Sequence, residues 1–168
     1  MRLPIRPAEI APRLATGAFI LNSGLSKRGL PDEAAAGIHG MAAGSIPQFN
    51  SVPPKTFVSA LSTGEMALGA ALLLPFVSPV VAGAALTAFG AGLVNLYLKT
   101  PGLTEEDGFR PTQDGIGIAK DVWLVGVGST LLIDGLVDGA RGAARSARKS
   151  ARKSAKKARK NARALTTS

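Results

Sequence analysis

The chain has 168 residues, of which 46% are hydrophobic and only 18% charged, yet its formal charge is +9; that pairing excludes a disordered chain and is not the composition of an ordinary soluble domain. The basicity belongs to the C-terminal end: eleven of the twenty Lys and Arg lie from Arg141 onward, and the other nine face eleven carboxylates, a balance of −2. The absence of cysteine excludes disulfides, thiol redox chemistry, iron–sulfur clusters and Cys-based zinc sites.

A bilayer core about 30 Å thick needs roughly 20 helical residues, and four apolar runs approach that length. They predict an all-α, membrane-embedded four-helix bundle over 1–138, with spans near 8–25, 57–77, 79–98 and 116–137, followed by a basic tail over 139–168. The first run is the weakest, interrupted by Arg13 and Asn22. Arginines, an apolar stretch and Ala34-Ala35-Ala36 resemble a secretory signal, but the apolar run ends well before that site and Lys27 and Arg28 intervene, so an uncleaved span is expected. Between 26 and 56, Pro31-Asp32-Glu33 ahead of AAAGIHGMAA has the proline and early acids of a short helix start, with Ile38 and Met41 available to the interface. Pro47, Pro53 and Pro54 then enforce an extended return.

The second run carries only Glu65, and the third is the cleanest. A soluble alternative would bury 57–98 as a hairpin inside a globular bundle, but the third run has no polar face for water. Its Ala84, Ala88 and Gly92 recur every fourth residue, a ladder of small side chains that predicts close helix approach. Tyr97 and Trp123 suit an interfacial belt on one leaflet. The fourth run holds VWLVGVGSTLLI between Lys120, Asp121 and Asp134. With Lys and Arg kept on the cytoplasmic side, the tail places the C-terminus inside. Four crossings then place the N-terminus inside as well, in agreement with Arg2, Arg6 and Arg13. The 78–79 junction becomes a tight inner turn, and the acidic 99–115 loop faces out.

Charges inside a bilayer are costly and face the bundle interior. The span placement brings Asn22, Lys27, Glu65, Asn95, Lys120 and Asp121 toward one leaflet. Glu65 opposite Lys120 or Lys27 would form a neutral pair, and a cluster of this composition suits a polar head group, a quinone carbonyl or a proton. The alternative is that these groups satisfy one another and fix helix register. Asp134 and Asp138 are expected to cap the last helix or meet the tail. The single histidine, His39, lacks the companions a haem or zinc site needs and reads as a solvated loop residue. No dinucleotide fingerprint, phosphate loop or nucleophile elbow is present, so no catalytic residue, metal site or obligatory cofactor is assigned. Small-solute transport lacks internal repeats or broken helices.

In the tail, alanines at 140, 144, 147, 151, 155, 158 and 162 keep helical spacing beside Arg141, Arg145, Arg148, Lys149, Arg152, Lys153, Lys156, Lys157, Arg159, Lys160 and Arg163. Anionic lipid is the nearest countercharge, at about 1 kcal/mol per basic residue. The texture is also similar to linker-histone and nucleoid-protein tails, so nucleic acid is the second partner class, bound without sequence preference.

The segments RLATGAFILNSGLSK, GEMALGAALLL, GLVNLYLKTPG and RPTQDGIGIAKDVWLVGVGSTLLID together resemble the DoxX family of small bacterial four-helix membrane proteins, over about 13–134. The matching positions are Gly17, Gly24 and Lys27, then Glu65 and Gly69, then Asp134; the long first loop and the basic tail depart from the pattern. The resemblance implies a multi-pass inner-membrane accessory subunit, in some members associated with quinone-linked thiosulfate oxidation or oxidative-stress complexes, and a membrane redox protein as partner. A membrane tether acting through its polybasic tail is the other expectation.

Overall fold

The computed structural model describes residues 6–165, with side chains described up to Lys156. Among them α-helices dominate, and the one β feature is an isolated bridge between Thr104 and Pro111. The long helices are α1 (Pro7–Ser26), α3 (Pro54–Leu73), α4 (Pro79–Lys99) and α6 (Val122–Leu165), with shorter α2 (Asp32–Ser45) and α5 (Ile116–Ala119) between them. Helices α1, α3 and α4 each open on a proline in the first helical turn, where its missing N–H costs nothing and its fixed φ is already helical. As expected from its proline and acids, α2 is a helix, ending where Ile46 turns extended ahead of Pro47.

Three segments are long and apolar enough to cross a membrane: Pro54–Leu73, Pro79–Lys99 and Ile116–Lys156. Only 33%, 28% and 17% of their most apolar windows are buried within the protein, so most of that apolar surface faces outward. Helix α1 has 20 residues but carries Glu9 and Arg13 and does not join this group. Its outward face nevertheless exposes Ile10, Leu14, Phe19 and Leu25.

The long helices alternate in direction and pack chiefly as two antiparallel pairs, α1 with α3 and α4 with α6. Glycines make each pair close. A Cβ on Gly17 or Gly24 would meet α3 near Gly69 or Met66, and a Cβ on Gly83 would collide with the backbone of Leu132 and Gly128. Where water expulsion supplies no drive between helices, such approach is the main source of packing energy. Ile20, Leu68 and Leu72 of one pair and Leu86, Leu124 and Leu131 of the other form a single buried cluster. The hydroxyls of Thr16, Thr87 and Thr130 each donate to the carbonyl four residues earlier, so the helices themselves satisfy these polar groups.

Several sequence expectations are corrected. The second helix stops at Leu73 rather than 77, because Leu74 precedes Pro75 and is held extended; the turn is therefore 74–78, with Ser78 capping Val81 N–H at 3.3 Å. The ladder of Ala84, Ala88 and Gly92 faces outward, and space around Gly92 is open. The close approach uses Gly83 and Gly90, one residue before Ala84 and two before Gly92. The fourth run does not begin as one unbroken helix: between α5 and α6, Trp123 N–H and Leu124 N–H reach back only three residues, to Lys120 and Asp121. Trp123 sits just beyond this break and is 75% exposed. Tyr97 is buried, its hydroxyl donating to Phe109 O at 2.6 Å, which makes it an anchor for the 99–115 loop. His39 lies on α2, within 2.9 Å of Phe49 O and edge-on to Phe57.

Gly83→Leu should break the α4/α6 pairing, at a cost of about 3 kcal/mol or more because backbone must move, whereas Gly92→Leu should leave thermal unfolding in detergent unchanged. In the loop, Arg110 and the N–H groups of Phe109 and Arg110 hold the Asp107 carboxyl down at about 2. A depressed carboxylate stabilises the loop above its usual range and loses that contribution as pH falls through about 2. Carboxyl NMR should show that midpoint, and Arg110→Ala should return it toward the ordinary aspartate value.

Candidate functional site

Two polar groupings lie between the long helices, at opposite ends. At the end formed by the α1 C-terminus, Lys27 leans back along its own helix and inserts between α1 and α3. Its ammonium donates to Glu65 Oε2 at 2.8 Å, to Ser23 Oγ at 2.7 Å and to Ser23 O at 3.3 Å. All three ammonium donors are thereby used. Glu65 is 5% exposed, and Ser62, one turn before it, donates to Gly24 O at 2.7 Å, where the missing side chain of Gly24 exposes that carbonyl. Asp121 is half-buried at the α5/α6 break.

Of the six residues expected to converge, the structure joins Lys27 and Glu65; among the described residues Asp121 makes no ion pair or side-chain hydrogen bond with either. Asn22 is exposed on the outward face of α1, and Lys120 is exposed at the break. Asn95 is half-buried on α4, and among the described residues it makes no side-chain hydrogen bond. The expected partner of Glu65 is therefore Lys27 and not Lys120. A polar group at this end would have to displace a satisfied ion pair.

At the other end stands a grouping that sequence reasoning missed. Arg13, taken there as an interruption of the first span, is 2% exposed. Its Nε donates to Leu72 O at 2.9 Å, and its Nη2 lies 3.0 Å from Ala71 O, 3.0 Å from Leu74 O and 3.2 Å from Val77 O. These carbonyls need a donor from outside the helix. Pro75 has no N–H to give Ala71, and helix C-termini leave carbonyls orphaned and carry partial negative charge. Glu9, one turn earlier on α1 and 3% exposed, accepts from Arg6 at 3.4 Å. Arg6 also pairs with Asp134 at 2.7 Å and Asp138 at 3.1 Å, tying the start of α1 to α6. Asp134 and Asp138 thus meet Arg6, with Arg141 a looser partner of Asp138 at 3.8 Å. The signal available was the Glu9, Arg13 spacing of four, which stacks both on one helix face, together with Pro75 in an otherwise helical run.

In the tail, α6 continues without interruption to Leu165. Arg141, Arg145, Arg148, Lys149, Arg152, Lys153 and Lys156 are exposed; the side chains of Lys157, Arg159, Lys160 and Arg163, like Arg2, lie outside the described residues.

Lys27→Met should destabilise by about 3 kcal/mol, since it leaves Glu65 buried and unpaired, while the Lys27→Met, Glu65→Leu double variant should recover most of that loss. Arg13→Lys should cost about 3 kcal/mol because an ammonium cannot span the same set of carbonyls. Unfolding in a fixed detergent checks both. The chain matches no family model, no curated protein and no solved structure, so the chemistry of these groupings follows from their own geometry.

Proposed function

We propose that the chain is a DoxX-like multi-pass inner-membrane protein, a four-span bundle of α1, α3, α4 and α6 with both termini cytoplasmic. It acts as a non-catalytic accessory subunit beside a quinone-linked redox or oxidative-stress partner. Three segments long and apolar enough to span support the membrane part, and α1, antiparallel to α3 and of matching length, supplies the fourth crossing. The observation that carries the accessory role is the Lys27–Glu65 pair at 2.8 Å. Its ammonium is fully satisfied by protein groups, an arrangement suited to locking helices together more than to turning over a substrate. The family resemblance over 13–134 supplies the redox context.

A second reading, a membrane tether, is favoured by the unbroken course of α6 into its cationic half. Every described residue from Gly139 to Lys156 is exposed, leaving the charges free for anionic lipid or nucleic acid.

Reporter fusions at the two termini should both signal from the cytoplasm; opposite compartments would refute four crossings. Purification in mild detergent should retain a quinone-dependent oxidoreductase, also after residues 141–168 are deleted. Binding to anionic vesicles or nucleic acid that is lost with that deletion, and lost in wild type as log salt rises, is the outcome of the tether reading.

A further inference from the structure

A cleft of about 460 Å³ opens between α1 and α6, within the size range of small-molecule sites. It runs along α6 from Trp123 to Asp134, roughly 16 Å at 1.5 Å per residue. Pro12, Val127 and Leu131 supply apolar wall, and Gly126 leaves the middle open, with nothing within 4 Å of where its Cβ would stand. The cleft faces outward beside the exposed Trp123 and Ile133, where a spanning bundle meets acyl chains.

Its inner end is polar and unfinished. Glu9 lines the cleft and is 3% exposed, yet its Oε2 has no hydrogen-bond partner among the described residues. Ala8 lines the same end, and Pro12 has no N–H to offer the Ala8 carbonyl one turn back. Buried groups of this kind are costly to leave unmade. An occupant that brings a hydrogen-bond donor to Glu9 offsets that cost. Glu9 and Asp134 at this end, with Asp138 beyond, are already paired with Arg6, so neither an ammonium nor a carboxylate or phosphate head finds an unmatched charge there.

We infer that this cleft binds a single-chain membrane amphiphile with a neutral hydroxyl head, the hydroxyl donating to Glu9 and the chain lying along α6 toward Trp123. The inference rests on α1 and α6 crossing the bilayer. Recognition is by hydroxyl and chain alone, so the class is that of long-chain alcohols and phenols drawn sideways from the lipid.

Trp123 is the only tryptophan, so the full chain reconstituted in lipid nanodiscs reports on its own cleft. Dibromo-octadecanol, added at rising mole fraction, should quench its fluorescence saturably. The methyl ether of the same compound, which cannot donate, should need roughly tenfold more, as expected for the loss of one charge-assisted hydrogen bond. Gly126→Leu, whose Cβ would meet nothing within 4 Å and whose side chain adds bulk to the cleft wall, should abolish the saturable component and leave only the linear quenching of a lipid-exposed indole. Glu9→Leu should erase the difference between alcohol and ether. Linear quenching in wild type, equal potency of alcohol and ether, or an unchanged Gly126→Leu variant would overturn the inference. A chain that fails to co-elute with nanodiscs would instead overturn the membrane reading on which it rests.

Discussion

The guanidinium of Arg13 connects most of the structure. Pro75 ends α3 and strips Ala71 of its backbone partner; Arg13 crosses from α1 to supply donors to Ala71, Leu72, Leu74 and Val77. That contact fixes the height of α1 against α3 and shapes the turn into α4. Because the carbonyls of a helix end carry partial negative charge, the buried cation is stabilised without a full carboxylate beside it. Glu9 is consequently left with Arg6 alone, which also draws in Asp134 and Asp138 of α6. One proline thus propagates, through one arginine, to the relation between the two helix pairs.

The opposite end is organised by size before charge. Gly24 lets Ser62 and Met66 of α3 come against α1, and only at that separation can Lys27 reach Glu65. The same device, with Gly83 and Gly90 against Gly128 and its neighbours, sets α4 on α6. The buried cluster that joins the pairs is small, so backbone proximity and a few satisfied polar groups determine the arrangement more than side-chain volume does.

Helix positions were largely legible in the sequence, because apolar length and proline at helix starts are local signals. The end of α3 was misplaced by counting hydropathy across Pro75, whose effect is on backbone geometry and not on hydropathy. Faces were less legible than lengths. On α4 the residues at 83 and 90 and those at 84, 88 and 92 are all small, and only the partner's position decides which row is inside. The Lys27–Glu65 contact could be anticipated as one of two pairings, since opposite charges on adjacent spans seek each other. Arg13 and Glu9 could not be ranked from pattern alone: an arginine in a first span also fits the rule that keeps positive charge inside, and its true partners are carbonyls, which leave no mark in composition.

The unbroken course of α6 has a further effect. If the helix leaves the bilayer near Val137, its remaining 28 residues to Leu165 extend roughly 40 Å at 1.5 Å each. Physiological salt damps electrostatic influence over about 8 Å, so lipid headgroups are felt by the first turns alone.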